Sequence, residues 1–307
     1  MSLVETAVRP AYRPYAAEVT RVDRLSPHFV RVTFTADDFA HFGTAGLDQR
    51  VKLILQARDG ILEDSADEGD WYGRWRALPL SERGVMRTYT VRRVDPAAAE
   101  VDVDFVLHGA TGPAGAWAES VTPGERLILV GPDERSPYSR TGLDWRPGAA
   151  RRLLIVGDET AVPAVSGILT SLDDSYEVDV FLEIPSPGDE LHLSRPPGAR
   201  VHWIPRDDAA HGERLIAAVT EWTTASGDLL AAAAAPVPQS LEDIDVDVDL
   251  LWDSPAADDR GGFYAWIAGE AGAVKTLRRL LVSTRGVDRR RVAFMGYWRL
   301  GQAERSE

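Results

Sequence analysis

The chain contains no cysteine, which excludes disulfides, a thiolate nucleophile and a Cys-ligated iron–sulfur cluster. Lysine is almost missing too, with only Lys52 and Lys275 among 34 basic residues. No stretch approaches the roughly eighteen apolar residues of a membrane span, and the segment from Met1 to Tyr15 lacks the apolar run of a secretion signal. A cytoplasmic protein without membrane insertion is therefore expected. The histidines, His28, His41, His108, His192, His202 and His211, show no metal-ligand spacing, so no metal site is expected. Positive charge is also in deficit: 48 acidic residues leave a formal net charge of −14, which argues against a nucleic acid or an anionic membrane as partner. Any electrons handled by such a chain must pass through a bound organic cofactor or haem.

What is present suggests two domains. The 307 residues, 44% of them hydrophobic, suffice for two cores. Six segments of the first half, Tyr15–Leu25, Phe29–Thr35, Arg50–Gln56, Arg87–Val94, Glu100–Leu107 and Arg126–Val130, carry β-branched and aromatic residues in partial alternation between Pro, Gly and Asp turns, which predicts an antiparallel barrel. The excursion from Ala57 to Gly84, acidic and then aromatic, reads as a surface flap or loop. A passage rich in Pro, Gly and Asp from Gly131 to Gly148 marks the boundary, giving domains 1–146 and 147–307. Beyond it strands alternate with helices: strands at Arg152–Val156, Glu177–Glu183, Val201–Pro205, Phe263–Ala268 and Val292–Tyr297, helices at Ala161–Leu172, Gly212–Trp222 and Ala271–Thr284. This rhythm predicts a parallel sheet with covered faces and ligands at the carboxyl ends of its strands. The Ala/Pro-rich piece Leu229–Pro238, followed by the acidic run Glu242–Asp253, reads as a short helix plus linker or as solvated surface, without assigned chemistry.

Two cassettes suggest flavin chemistry. Arg87-Thr88-Tyr89-Thr90 offers a cation, a ring and hydroxyls on one strand, with 87 and 89 on one face and 88 and 90 on the other. His108-Gly109-Ala110-Thr111-Gly112-Pro113-Ala114 follows the next strand and opens a helix, where bare amides and the helix dipole suit a phosphate. Each alone has a plain alternative, an exposed strand pair or an ordinary turn, and His108 alone reads as a structural strand-end residue. In the second half, Gly157-Asp158-Glu159-Thr160-Ala161 links a strand to a helix without the G-x-G-x-x-G fingerprint; a turn capped by Asp158 or Thr160 is the alternative to a nucleotide loop. Arg206 suits a nucleotide 2′-phosphate and Glu183 a ribose diol, two readings that oppose each other.

These motifs, with Asp48–Leu53, Trp117-Ala118, Ala268-Gly269-Glu270 and Gly296-Tyr297-Trp298-Arg299, occur in an order that resembles the siderophore-interacting protein family, FAD-dependent ferric-siderophore reductases of the ferredoxin-NADP reductase-like superfamily. The resemblance implies an antiparallel FAD-binding β-barrel followed by a parallel-sheet NAD(P)H-binding α/β domain. It implies that Arg87 aids the flavin phosphates, Tyr89 packs on the isoalloxazine and Thr90 lies near N5, with Thr88, His108 and Gly109 beside them. Gly112, Pro113 and Ala114 would form the pyrophosphate turn.

It also implies that Asp158, Glu159, Thr160 and Ala161 border the flavin and the nicotinamide, Thr90, Asp158 and Glu159 being the expected catalytic residues. Gly269 and Glu270 would wall the nucleotide cleft and Trp298 would cover the cofactor. The expected reaction passes electrons from NADH or NADPH, or from a ferredoxin, through FAD to a ferric siderophore. Lys52, Arg299 and, more weakly, Arg135 are the candidate cations for the anionic chelate. Asp133 stands where many relatives of that family carry Arg. A flavin reductase, a ferredoxin-linked oxidoreductase with another acceptor, and a non-catalytic siderophore-binding protein are the alternatives.

Overall fold

The computed structural model describes residues 9–56, 70–107, 112–242, 244–246, 249–255 and 261–302. They fall into two compact units, residues 9–25 with 29–143, and residues 26–28 with 144–302.

The first unit is a closed barrel of strands β1 (Tyr12–Arg24), β2 (Phe29–Thr35), β3 (Arg50–Leu55), β4 (Val85–Asp95), β5 (Glu100–Val106) and β6 (Arg126–Pro132), arranged β1-β2-β5-β4-β3-β6 with antiparallel pairing throughout. Every-second-residue apolar sets such as Val51/Leu53/Leu55, Val101/Val103/Phe105 and Leu127/Leu129 fill the interior, and closure leaves no exposed sheet edge. On the outer face of β2 and β5 the alternate positions pair charge across strands: Arg31 donates to both oxygens of Asp104 at 2.7 and 2.9 Å, and Thr33 donates to Asp102 at 2.8 Å.

The nearly unbroken apolar run of β3 has a different cause. Ile54 points outward, yet it is fully buried with Met86, Val130 and Trp75. Trp75 belongs to helix α1 (Trp71–Ala77), whose start is capped by Asp70 accepting from the Gly73 amide at 3.1 Å. The described part of the 57–84 excursion is therefore no flap or loop: its aromatic half is a helix that inserts a tryptophan against the barrel wall. Helix α2 (Pro113–Ser120) follows β5 and packs Ala114 and Ala118 into the barrel core.

The second unit is a six-stranded sheet in the order β10-β12-β11-β7-β8-β9. Strands β7 (Arg152–Gly157), β8 (Glu177–Ile184), β9 (Ala199–Pro205), β11 (Phe263–Glu270) and β12 (Val292–Trp298) run parallel. β7, β11 and β12 are almost continuously apolar because both faces are covered, whereas β8 carries Glu177, Asp179 and Glu183 and the edge strand β9 carries Arg200 and His202. Helices α3 (Val162–Ser171), α4 (Glu213–Ala225), α5 (Gly227–Ala232) and α6 (Ala271–Arg278) connect them.

Three expectations need amendment. The sheet is mixed, since β10 (Trp252–Asp253) pairs antiparallel with β12. The 229–253 stretch is also not simply solvated: Leu230, Ala233 and Leu251 are each 1% exposed, because α5 and the entry to β10 contribute to the core beside α4 and α6. The helix expected to Thr284 is α-helical only to Arg278 and continues as a π-helical segment, Arg279–Thr284.

The chain passes from β7 outward through β8 and β9, then returns to the other side of β7 with β11 and β12. That reversal places a crevice at the carboxyl ends of β7 and β11, the position at which open α/β sheets bind ligands.

Candidate functional site

In the barrel, the register pairs Leu53 with Arg87, Val51 with Tyr89, Lys52 with Thr88 and Arg50 with Thr90. Arg87 and Tyr89 thus lie on the side of the core residues Val51 and Leu53, and Thr88 and Thr90 on the opposite side with Lys52. Tyr89 is half-buried, its ring centroid 4.5 Å from that of Phe105, which in turn lies 5.4 Å from Trp117 in the middle of α2. Arg87 is half-buried and donates to the Met86 carbonyl at 2.7 Å. Thr90 is 6% exposed. His108 and Gly109 lie outside the described residues.

Gly112 caps α2 at φ +102°, and a Cβ there would meet no atom within 4 Å. The helix consequently begins with a residue that offers no side-chain acceptor and with Pro113 at its first position, leaving open space before its positive end. A half-buried cation, a half-buried ring and an uncapped helix start fit a flavin nucleotide: Arg87 and the Gly112–Ala114 turn would hold its phosphates, and Tyr89 its ring.

In the second unit, Asp158 follows β7 and is 4% exposed. Its Oδ1 accepts from the Thr160 amide at 2.9 Å and the Thr160 hydroxyl at 2.5 Å; its Oδ2 accepts from the Glu270 amide and the Trp298 indole, both at 2.7 Å. Burial, and secondarily the neighbouring Glu159 charge, push its carboxyl up to about 6 against these donors. Gly269 stands at φ +145°, and a Cβ there would lie 2.6 Å from Asp158 Oδ2; glycine is what lets the carboxylate approach. Glu270 caps α6, accepting from the Ala273 amide at 2.9 Å.

Glu159, 0% exposed, is bound by both terminal nitrogens of Arg206 at 2.9 and 3.0 Å. Arg206 also donates to Glu183 at 3.1 Å, and Glu183 accepts from the Gly212 amide at 3.0 and 3.1 Å. Glu159, Glu183 and His211 bring ligand-type atoms within 4.8 Å of one another, but the cation these two carboxylates hold is the Arg206 guanidinium. The opposed readings of Arg206 and Glu183 as nucleotide contacts are replaced by a shared role: each is the other's partner in a buried network that no local sequence spacing signals. Val156, Asp158, Glu183, Ala268, Gly269 and Glu270 are among the residues around a narrow crevice of about 10 Å³, room for a single water.

The three candidate substrate cations differ in availability. Lys52 is half-buried and donates to Thr88 Oγ1 at 3.2 Å. Arg299 donates to the Val246 carbonyl. Arg135 makes a bidentate pair with Asp133 at 2.8 and 2.6 Å, so the unusual aspartate at 133 claims the arginine that an anionic chelate would need. Burial raises the Asp133 carboxyl, but the Arg135 bonds outweigh it and hold the group below the usual carboxylate range. Tyr297 stacks on Trp252 at 5.7 Å and meets Trp266 edge-on at 6.2 Å, a core packing role.

Residues 18–136 match a family model described as the siderophore-interacting FAD-binding domain, and residues 150–301 one described as siderophore-interacting protein. An uncharacterised protein of Mycobacterium tuberculosis is 32% identical over 96% of this chain and 93% of its own length. The chain belongs to the siderophore-interacting protein family. This siderophore-interacting protein is also similar to the ferric vibriobactin reductase ViuB of Vibrio cholerae, 27% identical over 95% of this chain and 91% of that protein. Among solved structures, a siderophore utilization protein from T. fusca superimposes with TM-score 0.68 at 27% identity, covering 96% of both chains. The ferredoxin reductase of carbazole 1,9a-dioxygenase, at 18% identity, TM-score 0.57 and coverage of 94% of this chain and 70% of that one, shares the fold alone. The first unit is thus the family's FAD-binding barrel.

Proposed function

We propose that this siderophore-interacting protein is an FAD-containing ferric-siderophore reductase that takes electrons from NADH or NADPH and releases iron as Fe(II) in the cytoplasm. The observation that carries the reading is the pairing, in one family member, of a barrel with the Arg87–Tyr89 face and uncapped Gly112 turn and a sheet with its crevice at the β7/β11 reversal. Its similarity to a protein named as a ferric vibriobactin reductase supports the chemistry. No helix among the described residues is long and apolar enough to cross a membrane.

When bound, FAD accepts electrons in a pair and returns them singly, which matches a nicotinamide donor to Fe(III). The protein's own part is positional. Arg87 supplies charge at the phosphates and Tyr89 a flat wall for the ring, while Thr90, buried on the opposite face of the strand, reaches the ring's reactive edge through its backbone. Gly269 and Glu270 line the donor crevice beside Asp158, and Thr160 holds Asp158 in place. Asp158 and Glu159, by contrast, have their carboxylates engaged by protein donors and act by shaping that crevice rather than by exchanging protons with a substrate. The ferric chelate carries its own ligands, and Lys52 meets its negative charge, with Arg299 as a second contact and Arg135 available only in competition with Asp133.

Anaerobic titration of the yellow holoprotein with NADH and NADPH in turn, followed by a panel of ferric siderophores, tests the reading. Bleaching by a nicotinamide and reoxidation by ferric chelate is the expected course. A protein that is colourless and refuses added FAD would overturn it; reduction by a ferredoxin alone, or transfer only to free flavin or quinone, would replace the donor or the acceptor.

Two substitutions refine the roles. Arg87→Ala removes a charge-assisted phosphate contact worth about 1.5–3 kcal/mol, so FAD should bind about tenfold to a hundredfold more weakly, read by fluorescence titration of the apoprotein. Lys52→Ala should raise the KM for anionic chelates while flavin content stays constant; unchanged kinetics across several chelates would remove Lys52 from the site.

A further inference from the structure

We infer that Asp158 is the positioning residue of the donor crevice: its carboxylate fixes the Trp298 indole and the Gly269–Glu270 backbone as one wall against which the nicotinamide donor docks. The inference rests on the reading of this crevice as the donor's site.

The geometry is that of a bracket. One carboxylate joins the turn after β7, through Thr160, to the end of β11, through the Glu270 amide, and to the end of β12, through the Trp298 indole. Glu270 and Trp298 are register partners across β11 and β12, so a single oxygen, Oδ2, ties both strand ends. The glycine at 269 admits this contact, since any side chain would strike the carboxylate. Two donors converge on each oxygen, and only the unprotonated form accepts all four bonds as they stand. An asparagine could keep one acceptor oxygen on one side, but its amide would meet donors on the other.

Trp298 is half-buried and meets His211 edge-on at 5.0 Å. An aromatic side chain at a crevice mouth keeps a defined orientation only when its polar edge is held. The groups that face this bracket are Glu159 on the same turn, Glu270 at the start of α6, and His211 before α4, with Arg206 and Glu183 behind them. Arg206 balances Glu159 and Glu183, whereas the donors to Asp158 among the described residues, the Thr160 amide and hydroxyl, the Glu270 amide and the Trp298 indole, are all neutral. Its elevated titration, near 6, agrees with a buried charge retained for the bonds it accepts.

The test uses ¹⁵N-labelled holoprotein. The indole N–H signal that disappears in Trp298→Phe is that of Trp298. In the wild type it should shift with pH at a midpoint near 6, and the KM for the nicotinamide should rise as pH falls through the same range. In Asp158→Asn the shift with pH should vanish, and exchange of that indole hydrogen should quicken about tenfold or more. The donor KM should rise while FAD absorbance stays intact. His211→Asn should keep the midpoint, separating the carboxyl from the imidazole. Asp158→Asn combined with Trp298→Phe should be no worse for donor KM than Trp298→Phe alone, because the first acts through the second.

An indole signal indifferent to pH in the wild type, or fully additive effects in the double variant, would overturn the inference. The wild-type titration keeps the test decisive even if Asp158→Asn does not fold. Should the bracket behave as expected while neither nicotinamide reduces the flavin, the donor reading falls and the inferred docking role falls with it, but the failure is then distinguishable from failure of the bracket.

Discussion

Replacing Arg206 by Ala should cost the second unit about 3–5 kcal/mol. Two carboxylates with side chains 0% and 1% exposed, those of Glu159 and Glu183, share this guanidinium, itself 9% exposed. Removing it leaves two like charges close together in a place water does not reach. Glu183 keeps its bonds from the Gly212 amide, but those neutralise no charge. In a unit of this size the loss corresponds to a fall in melting temperature on the order of 10 °C.

The charge itself is secure. Burial opposes it, and the bonds and charges of Glu159 and Glu183 outweigh that opposition, so its pKa is raised. A raised basic group gives its stabilisation in full below its unfolded pKa and loses it only above, far outside the neutral range. The guanidinium therefore adds no pH dependence of its own between pH 6 and pH 9. The two buried carboxylates left by Arg206→Ala, by contrast, favour protonation, so the loss should be larger at pH 9 than at pH 6, as thermal unfolding followed by circular dichroism would check. Arg206→Lys, which keeps charge but not the fork, should fall between. If instead Arg206 met a 2′-phosphate, the Ala variant would keep its melting temperature and lose affinity for NADPH alone.

Trp75→Ala should cost the barrel about 3–5 kcal/mol, the usual range for truncating a large aromatic in a core. Trp75 is fully buried against Ile54, Met86 and Val130. Its ring stacks on Tyr72 at 5.8 Å, Arg83 lies 4.8 Å from its ring centroid, and its indole donates to the Arg83 carbonyl at 2.7 Å. The truncation would open a cavity beneath α1, and α1, at seven residues, is too short to persist without tertiary support. Urea unfolding should show an earlier barrel transition together with loss of near-ultraviolet dichroism. Trp75→Phe, which fills most of the space but gives up the indole bond, should recover the larger part. An unchanged barrel transition in the Ala variant would show that α1 is an ornament on the wall.

Trp75 also shows where local reading stops. In sequence it belongs to an acidic and aromatic excursion with no alternation, and only its contact with the outward-facing Ile54 gives it a place. The same holds for Leu230, Ala233 and Leu251, single apolar residues in an Ala/Pro-rich and acidic stretch, which reach the core because α5 and β10 pack beside α4 and β12. By contrast, Val51/Leu53/Leu55 and Val101/Val103/Phe105 announced a barrel through alternation alone. The alternation of strand with helix beyond residue 150 likewise announced a sheet covered on both faces. The opposite-face placement of Arg87 with Tyr89 and of Thr88 with Thr90 also followed from the period of a strand.

The sequence by itself determined what could be written in short-range periods and turn chemistry: a barrel followed by a mostly parallel sheet, the Arg87–Thr90 strand, the Gly112-Pro113 helix start, the Gly157–Ala161 turn, and the exclusion of thiol chemistry by the absence of cysteine. Tertiary structure alone decided which charges are spoken for. Asp158, Glu270 and Trp298 meet across three strand ends, Arg206 meets Glu159 and Glu183 from separate elements, and Arg135 turns to Asp133 rather than outward. The physical reason is that strand and helix periods are set by backbone geometry within a few residues. The partner of a buried charge is set by which distant segments the sheet order brings together, and by the cost of leaving that charge alone.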